Sequence, residues 1–167
     1  FVSYGGYPKV VTESDPEEKE LILKDLHESF LKKDILESGV SQEYKFYQLV
    51  KILASDSGSL MNASELGNTV GLSPDTVREY LHILRKSCIV DIISPFHANV
   101  RKELTKMPKV YFLDSGFRNT VLGDYRYPQQ RLDKGNLLEN LVFITLRTFG
   151  FDPIHFWRTQ DKHEVDF

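Results

Sequence analysis

The sequence has little of several features that would restrict its class. It contains a single cysteine, Cys88, which excludes an intramolecular disulfide and favours a reducing compartment. No stretch reaches the roughly 18 consecutive apolar residues of a membrane span, and the first residues lack the pattern of a secretory signal. We therefore expect a cytoplasmic protein with no membrane partner.

Excess charge of one sign is also missing. The chain has 21 Lys and Arg against 24 Asp and Glu, a net charge of -3, so it lacks the strongly basic balance of many nucleic-acid-binding domains. Any contact with DNA must then come from a local basic patch. The chain also has no Gly-x-x-x-x-Gly-Lys-Ser/Thr loop, which excludes the usual phosphate cradle for ATP in this sequence.

What is present predicts a folded protein of mixed class. Hydrophobic residues make up 41% of the 167 residues, enough for one substantial core or two small ones. The patterns predict a mainly α fold with small β hairpins (α+β). We expect three parts: a helical linker or lid-like region at 1–41, a winged helix-turn-helix at 42–115, and a separate segment with a helix and two strands at 116–167.

The N-terminal part begins with a helix signal. Ser14-Asp15-Pro16-Glu17 resembles a capping box with proline in the first turn, with Ser14 as the capping residue. A helix from about Pro16 to Leu36 is predicted to follow, and a second from about Gln42 to Ala54 has apolar residues at helical spacing.

The central part carries the most specific pattern. A short helix over 62–70 is followed by the turn Gly71-Leu72-Ser73, whose serine can cap a helix from Pro74 to about Lys86. The β-branched run Ile89–Ile93 and the run Lys109–Leu113 are predicted to pair as the wing hairpin. Further on we expect a short helix over 117–122, a buried helix over 137–146, and strands at 154–158 and 164–167.

The predicted second helix of the helix-turn-helix has a mixed outer face. Between Ser73 and Lys86 three basic residues face two acidic ones, and Asp75 and Glu79 would repel phosphates unless they read a cytosine amino group. The wing, 96–109, is more basic, with a net charge of +3, and a basic wing can hold phosphates without reading sequence. A protein-docking role stays open beside DNA binding. The predicted DNA contacts are Thr76, Arg78, His82, Arg85, Lys86, Arg101, Lys102, Lys106 and Lys109.

The order of motifs resembles the C-terminal half of a family of archaeal and bacterial P-loop ATPases of the AAA+ type, over essentially the whole chain. The resemblance depends on these segments: Gly5-Gly6-Tyr7-Pro8, Lys33-Asp34-Ile35, the winged helix, Pro108 to Gly116, Leu138-Glu139-Asn140-Leu141-Val142, Trp157-Arg158-Thr159 and Glu164-Val165-Asp166-Phe167.

This resemblance implies an ATPase domain, with ATP and magnesium as cofactors, N-terminal to this region. Beginning at Phe1 rather than methionine, the chain is then expected to be an excised, non-catalytic fragment without a cofactor of its own. The resemblance also implies that 116–167 is the start of a truncated α/β part similar to restriction-endonuclease folds, in which Glu139 and Asp166 match the first two metal ligands. The later Glu-x-Lys of such folds is absent from this sequence, so the metal site is expected to be incomplete.

The carboxylates of the tail have simpler interpretations as well. Glu164 and Asp166 lie two apart on a predicted strand and so share a face, where they can pair with Arg158 or Lys162, while Glu139 can pair with Lys134. The five histidines show no ligand spacing among themselves or with the cysteine. The preferred hypothesis is a winged-helix module that binds DNA or docks to its ATPase domain. The alternatives are a metal-dependent nuclease or nuclease relic, and a free-standing transcription regulator.

Overall fold

The structure is a computed structural model that describes residues 1–30, 39–96, 107–159 and 163–167. Its helices are α1 (Pro8–Thr12), α2 (Pro16–Phe30), α3 (Glu43–Ser55), α4 (Ala63–Val70), α5 (Pro74–Lys86), α6 (Ser115–Leu122) and α7 (Lys134–Thr148), with a 3-10 turn at Pro128–Gln130. Its strands are β1 (Val90–Ile93), β2 (Lys109–Phe112), β3 (Trp157–Arg158) and β4 (Glu164–Val165). The end of the first predicted helix lies outside the described residues.

The predicted α+β class is confirmed, since helices dominate and the strands form two small antiparallel pairs. Strand β1 pairs with β2, with Val90 opposite Phe112 and Ile93 opposite Lys109. Strand β3 pairs with β4, with Trp157 opposite Val165. No helix among the described ranges combines the length and the apolar character that a membrane crossing requires.

Helices α4 and α5 are joined by the turn that the sequence predicts. Asn62 caps α4 by accepting hydrogen bonds from the backbone of the first turn, and Ser73 caps α5 by accepting from Thr76 N at 3.1 Å. Gly71 ends α4 with a φ of 71°, a left-handed conformation that favours glycine. A Cβ on Gly67 would lie 2.6 Å from the carbonyl oxygen of Leu72, so the close approach of turn and helix requires glycine there too.

One prediction of a cap was wrong. Glu17 N donates to Asp15 Oδ1 at 2.8 Å, so the side chain that caps the start of α2 belongs to Asp15 and not to Ser14. Ser14 N instead donates to Glu13 Oε1. Both residue types cap helices well, and the local backbone decides between neighbours.

The main core joins α3, α4, α5 and the β1–β2 pair with α6. Phe46, Leu49, Val77, Leu84 and Phe117 are nearly inaccessible to solvent, and Phe117 comes from α6. The helix that follows β2 therefore shares the core of the central part, although the sequence-based boundary at 115 separates the two.

The N-terminal segment is fixed to α6 by polar contacts. Asn119 Nδ2 donates to the carbonyl oxygens of Val2 and Ser3, at 2.9 and 2.8 Å, and Asp114 Oδ2 accepts from Gly6 N at 2.7 Å. A side chain on Gly116 would collide with the carbonyl of Tyr4. Residues 1–6 and α6 are thus in direct contact although more than 100 positions separate them.

Two buried arginines stabilise the loop after α6. Arg118 Nη2 and Arg131 Nη2 both donate to Asp133 Oδ2, at 2.9 and 2.7 Å, and Arg131 Nη1 donates to Asn119 Oδ1 and to the carbonyl of Asp124. Both guanidinium groups are fully enclosed, so each depends on these acceptors for its stability as a cation.

Helix α7 packs against the central part through Asn140. Its side-chain amide accepts from Phe112 N at 2.8 Å, donates to Phe112 O at 3.0 Å and accepts from Ser57 Oγ at 2.5 Å. The prediction of a buried helix at 137–146 is only partly correct. Leu137, Asn140 and Phe143 are buried, but Leu138 and Val142 are 38% and 48% exposed because the helix packs along one face only.

Candidate functional site

The first candidate surface is the outer face of α5. Arg78, His82 and Arg85 follow one another at spacings of four and three residues, so they form one exposed stripe, and Lys86 is exposed beside its end. The opposite face of the helix is buried through Val77, Tyr80, Leu81, Ile83 and Leu84. Helix α5 is thus held by its apolar side and presents its basic side to solvent.

The basic stripe is partly neutralised by its own neighbours. Arg78 Nη1 lies 2.6 Å from Asp75 Oδ1, and Arg85 Nε lies 3.3 Å from Asp91 Oδ1. The Arg78–Asp75 pair is exposed, with 62% and 94% of the side chains accessible, and such pairs contribute little stability. An incoming phosphate can therefore replace Asp75 as the partner of Arg78 at small cost.

Thr76, which the sequence suggests as a DNA contact, is engaged within the turn. Its hydroxyl lies 2.8 Å from Ser73 Oγ, and its backbone N–H donates to the same oxygen. Thr76 is only half exposed. Of the wing residues predicted to bind phosphates, Arg101, Lys102 and Lys106 lie outside the described residues.

The prediction that Lys109 contacts DNA was wrong. Only 2% of the residue is exposed, and its ammonium group is enclosed by three carboxylates. Lys109 Nζ lies 2.5 Å from Glu164 Oε1, 2.7 Å from Asp166 Oδ1 and 3.2 Å from Glu139 Oε1. An ammonium group that already has three anionic partners and no solvent access cannot bind a phosphate.

This carboxylate cluster, Glu139, Glu164 and Asp166 around Lys109, contains both predicted metal ligands. Burial disfavours the charged form of Lys109, but hydrogen bonds to Asp166 and Glu164 and the charge of Glu139 outweigh it and raise the lysine pKa. Arg158 Nη1 adds a second cation at 3.2 Å from Glu164 Oε2, as the simpler interpretation of the strand acids anticipates.

Tyr111 and Gly58 complete the surroundings of Glu139. Tyr111 Oη donates to Glu139 Oε1 at 2.6 Å. Burial raises the pKa of Tyr111 most, and this contact with a carboxylate raises it further. Gly58 has a φ of 85°, and a Cβ there would lie 2.7 Å from Glu139 Oε1, so glycine leaves the room that the carboxylate occupies. The predicted pairing of Glu139 with Lys134 is replaced by these contacts.

As arranged, these residues do not fit a divalent metal ion. The three carboxylates converge on the ammonium group of Lys109. Among the described residues, no group of three or more His, Cys, Asp or Glu side chains is arranged to hold a metal ion. Sequence reasoning grouped Glu139 with Asp166 correctly in space, but it missed Lys109 and Tyr111 as their partners. Their placement on the strand β2 next to α7 has no local signal in the sequence.

Comparison with curated proteins finds relatives that are themselves described only as uncharacterized. Proteins of Mycobacterium tuberculosis and Haemophilus influenzae are each 28% identical to this chain, over 97% and 100% of it. A protein of Methanocaldococcus jannaschii is 24% identical over 100% of the chain. The chain spans only 38%, 41% and 38% of these three relatives, in the same order.

No solved structure matches the chain. A family model described as a domain of unknown function, DUF8612, matches residues 1–126. The matched range runs from the N-terminal segment through α6 and so includes the whole main core. The chain therefore belongs to the DUF8612 family.

Proposed function

We propose that α3, α4, α5 and the β1–β2 pair form a winged helix that binds duplex DNA mainly through its phosphates. The observation that carries the proposal is the exposed basic stripe of α5, Arg78, His82 and Arg85, opposite a fully packed apolar face. A helix held in this way can enter a groove of the duplex as a rigid element.

Contacts to phosphates are favoured over contacts to bases for two reasons. Asp75 and Glu79 lie on the exposed side of α5, where their negative charges would repel the phosphate backbone and the acceptor groups of most base edges. The Thr76 hydroxyl is occupied by Ser73 in the cap of the helix. The remaining cations are long side chains that hold phosphates irrespective of sequence.

The segment between β1 and β2 supplies the second set of proposed contacts. Arg101, Lys102 and Lys106 lie there with Glu103 as the acidic residue, so the segment stays basic after Lys109 is assigned to the carboxylate cluster. Strands β1 and β2 pair antiparallel, as the strands flanking a wing do. Phosphate contacts from both α5 and the wing would give strongly salt-dependent binding.

We further propose, from the resemblance to AAA+-type ATPases, that this module works beside an ATPase domain that binds ATP and magnesium. The relatives are more than twice the length that this chain covers, which leaves room for such a domain in the whole protein. In this arrangement the module itself is non-catalytic. Docking of the same basic stripe onto an acidic surface of the ATPase domain is the alternative to DNA binding.

The test is fluorescence anisotropy of a labelled 25-base-pair duplex titrated with the chain at several salt concentrations. We expect binding at low salt that weakens steeply as salt rises. Arg85→Ala with Lys86→Ala should reduce affinity about tenfold or more and make the salt dependence shallower by about two phosphate contacts. Arg101→Ala, Lys102→Ala and Lys106→Ala together should also reduce the affinity, and they should make the salt dependence shallower by about three phosphate contacts.

The matched control changes two exposed lysines elsewhere, Lys9→Ala and Lys51→Ala, and should bind as the unchanged chain does. Absence of binding at low salt would reject the DNA proposal. In that case the docking alternative predicts that a longer protein containing the ATPase domain is altered in its ATPase rate by the α5 pair of substitutions.

A further inference from the structure

An apolar cleft of about 250 Å³ lies between α3 and α4. Buried Leu53 and Val110 and half-buried Ile52, Met61 and Leu66 contribute apolar surface to its lining. The cleft is smaller than the roughly 300–1,000 Å³ of sites for drug-sized ligands, but it can accommodate one large side chain.

Two carboxylates, those of Asp56 and Glu65, line this cleft. Asp56 follows the end of α3 and Glu65 lies in the first turn of α4, and both are exposed. Within residues 1–30, 39–96, 107–159 and 163–167, neither side chain forms an ion pair. The cleft is thus apolar inside and carries two negative charges at its opening.

A larger depression elsewhere on the molecule shows the contrast. It has a volume of about 780 Å³ and includes Glu20, Lys24, Asp124 and Arg126 in its lining. There each charge has a partner, because Lys24 Nζ lies 3.7 Å from Glu20 and Arg126 Nη2 lies 2.8 Å from Asp124. No net charge remains there, whereas the lining of the cleft between α3 and α4 includes the two carboxylates of Asp56 and Glu65.

We propose that this cleft receives the side chain of a lysine or arginine from a partner protein. The aliphatic stem of such a residue packs well on apolar surface while its charged end stays at the rim, where Asp56 and Glu65 are placed to receive it. Ser59, Asn62 and Thr69 also line the cleft and are exposed, but Asn62 Oδ1 caps α4 and the Thr69 hydroxyl donates to Glu65 O at 2.9 Å, so the proposed recognition depends on the apolar lining and the two carboxylates. The site is distinct from the basic stripe of α5, since its acidic rim would repel a phosphate.

The experiment is an amide NMR titration of the chain with acetyl-Ala-Arg-Ala-amide. The comparison peptide carries citrulline in place of arginine, which keeps the shape and removes the charge. We expect shifts at residues 52–69 and a dissociation constant at least tenfold lower for the arginine peptide. Asp56→Asn with Glu65→Gln should remove that preference, whereas Glu18→Gln, a substitution of an exposed glutamate on α2, should keep it.

A second variant tests the cleft and not only its charge. Thr69→Phe places a bulky side chain at an exposed position of the lining and should abolish the shifts without loss of folding. Equal binding of the arginine and citrulline peptides, or unchanged binding by Thr69→Phe, would overturn the proposal. Butylguanidine binding as tightly as the peptide would overturn the assignment to a protein partner and indicate a small cationic ligand.

Discussion

Lys109 Nζ lies 2.7 Å from Asp166 Oδ1, which links the first residue of β2 to the residue that follows β4. The two positions are 57 residues apart. Together with Glu139 of α7 and Glu164 of β4, the contact attaches the C-terminal helix and strand pair to the central part. A lysine that sequence patterns place on a DNA-binding surface is therefore an internal connection.

Lys109→Met should lower the free energy of unfolding by about 3 kcal/mol. This value is near the lower end of the range for breaking a buried ion pair, because the carboxylates keep partial solvent access. Methionine preserves the stem and leaves three carboxylates facing one another. Urea denaturation followed by circular dichroism measures the change. Adding Asp166→Asn to Lys109→Met should recover part of the loss by reducing the repulsion, and a Lys109→Met chain as stable as the original would contradict the assigned role.

Tyr80→Phe should stabilise the chain by about 1 kcal/mol. The Tyr80 hydroxyl is buried in the core and has no hydrogen-bond partner among the described residues, so it loses hydration without compensation. The phenylalanine ring keeps the edge contact with Phe46, whose centroid lies 5.1 Å away. Thermal unfolding compares this variant with Tyr127→Phe, a control at a 70% exposed position that should be neutral. A destabilised Tyr80→Phe chain would reveal an acceptor for the hydroxyl.

Acid should weaken the fold through the carboxylates that face arginines. A hydrogen bond from Arg126 foremost lowers the pKa of Asp124 to about 2, and the hydrogen bond from Arg131 foremost lowers the pKa of Asp133. Both pKa values fall below the unfolded value of about 4, so the stabilisation is present above that pH and is lost as pH falls through each folded pKa, which for Asp124 is about 2.

Asp133→Asn separates this contribution from general acid effects. The variant should lose about 3 kcal/mol at pH 7, since two buried guanidinium groups lose their shared anion, and it should lose less further stability as pH falls below the unfolded value of about 4. Unfolding by urea at each pH supplies the measurement, with Asp25→Asn as the exposed control. An unchanged pH dependence in Asp133→Asn would contradict the assignment.

Asp75→Asn with Glu79→Gln should raise duplex affinity about threefold to tenfold at low salt, if α5 faces phosphates as proposed. Removing two negative charges from the exposed side of the helix releases Arg78 from its 2.6 Å pair and reduces repulsion. The anisotropy assay described above measures it. Weaker binding of the variant, confined to particular sequences, would instead indicate that the acids read cytosine.

The sequence was most informative where the relevant interactions are local. The predicted helix from Pro74 to about Lys86 is confirmed, and so is its Ser73 cap, because capping serine, first-turn proline and apolar spacing all lie within one short segment. The pairing of β1 with β2 is confirmed as well, since two β-branched or aromatic runs flank one polar segment.

Apart from the cap of α2, the errors concern contacts between distant segments. Lys109 is counted as part of a basic wing by composition, but its environment is set by Glu139, Glu164 and Asp166, at least 30 positions away. The buried pair Arg118 and Arg131 is unpredicted for the same reason, since nothing near either residue indicates enclosure. Charge counts along a sequence assume exposure, and that assumption fails where folding brings opposite charges together.

The contacts that Asn140 makes with Phe112 have a consequence for assembly. A two-stranded sheet normally offers unpaired backbone groups along its edge, and these can recruit a strand from another chain. Here Asn140 occupies both the N–H and the carbonyl of Phe112, and Gly58 N donates to the carbonyl of Val110 at 3.0 Å. This side of β2 is therefore closed to strand addition, and replacing the Asn140 amide would expose an aggregation-prone edge.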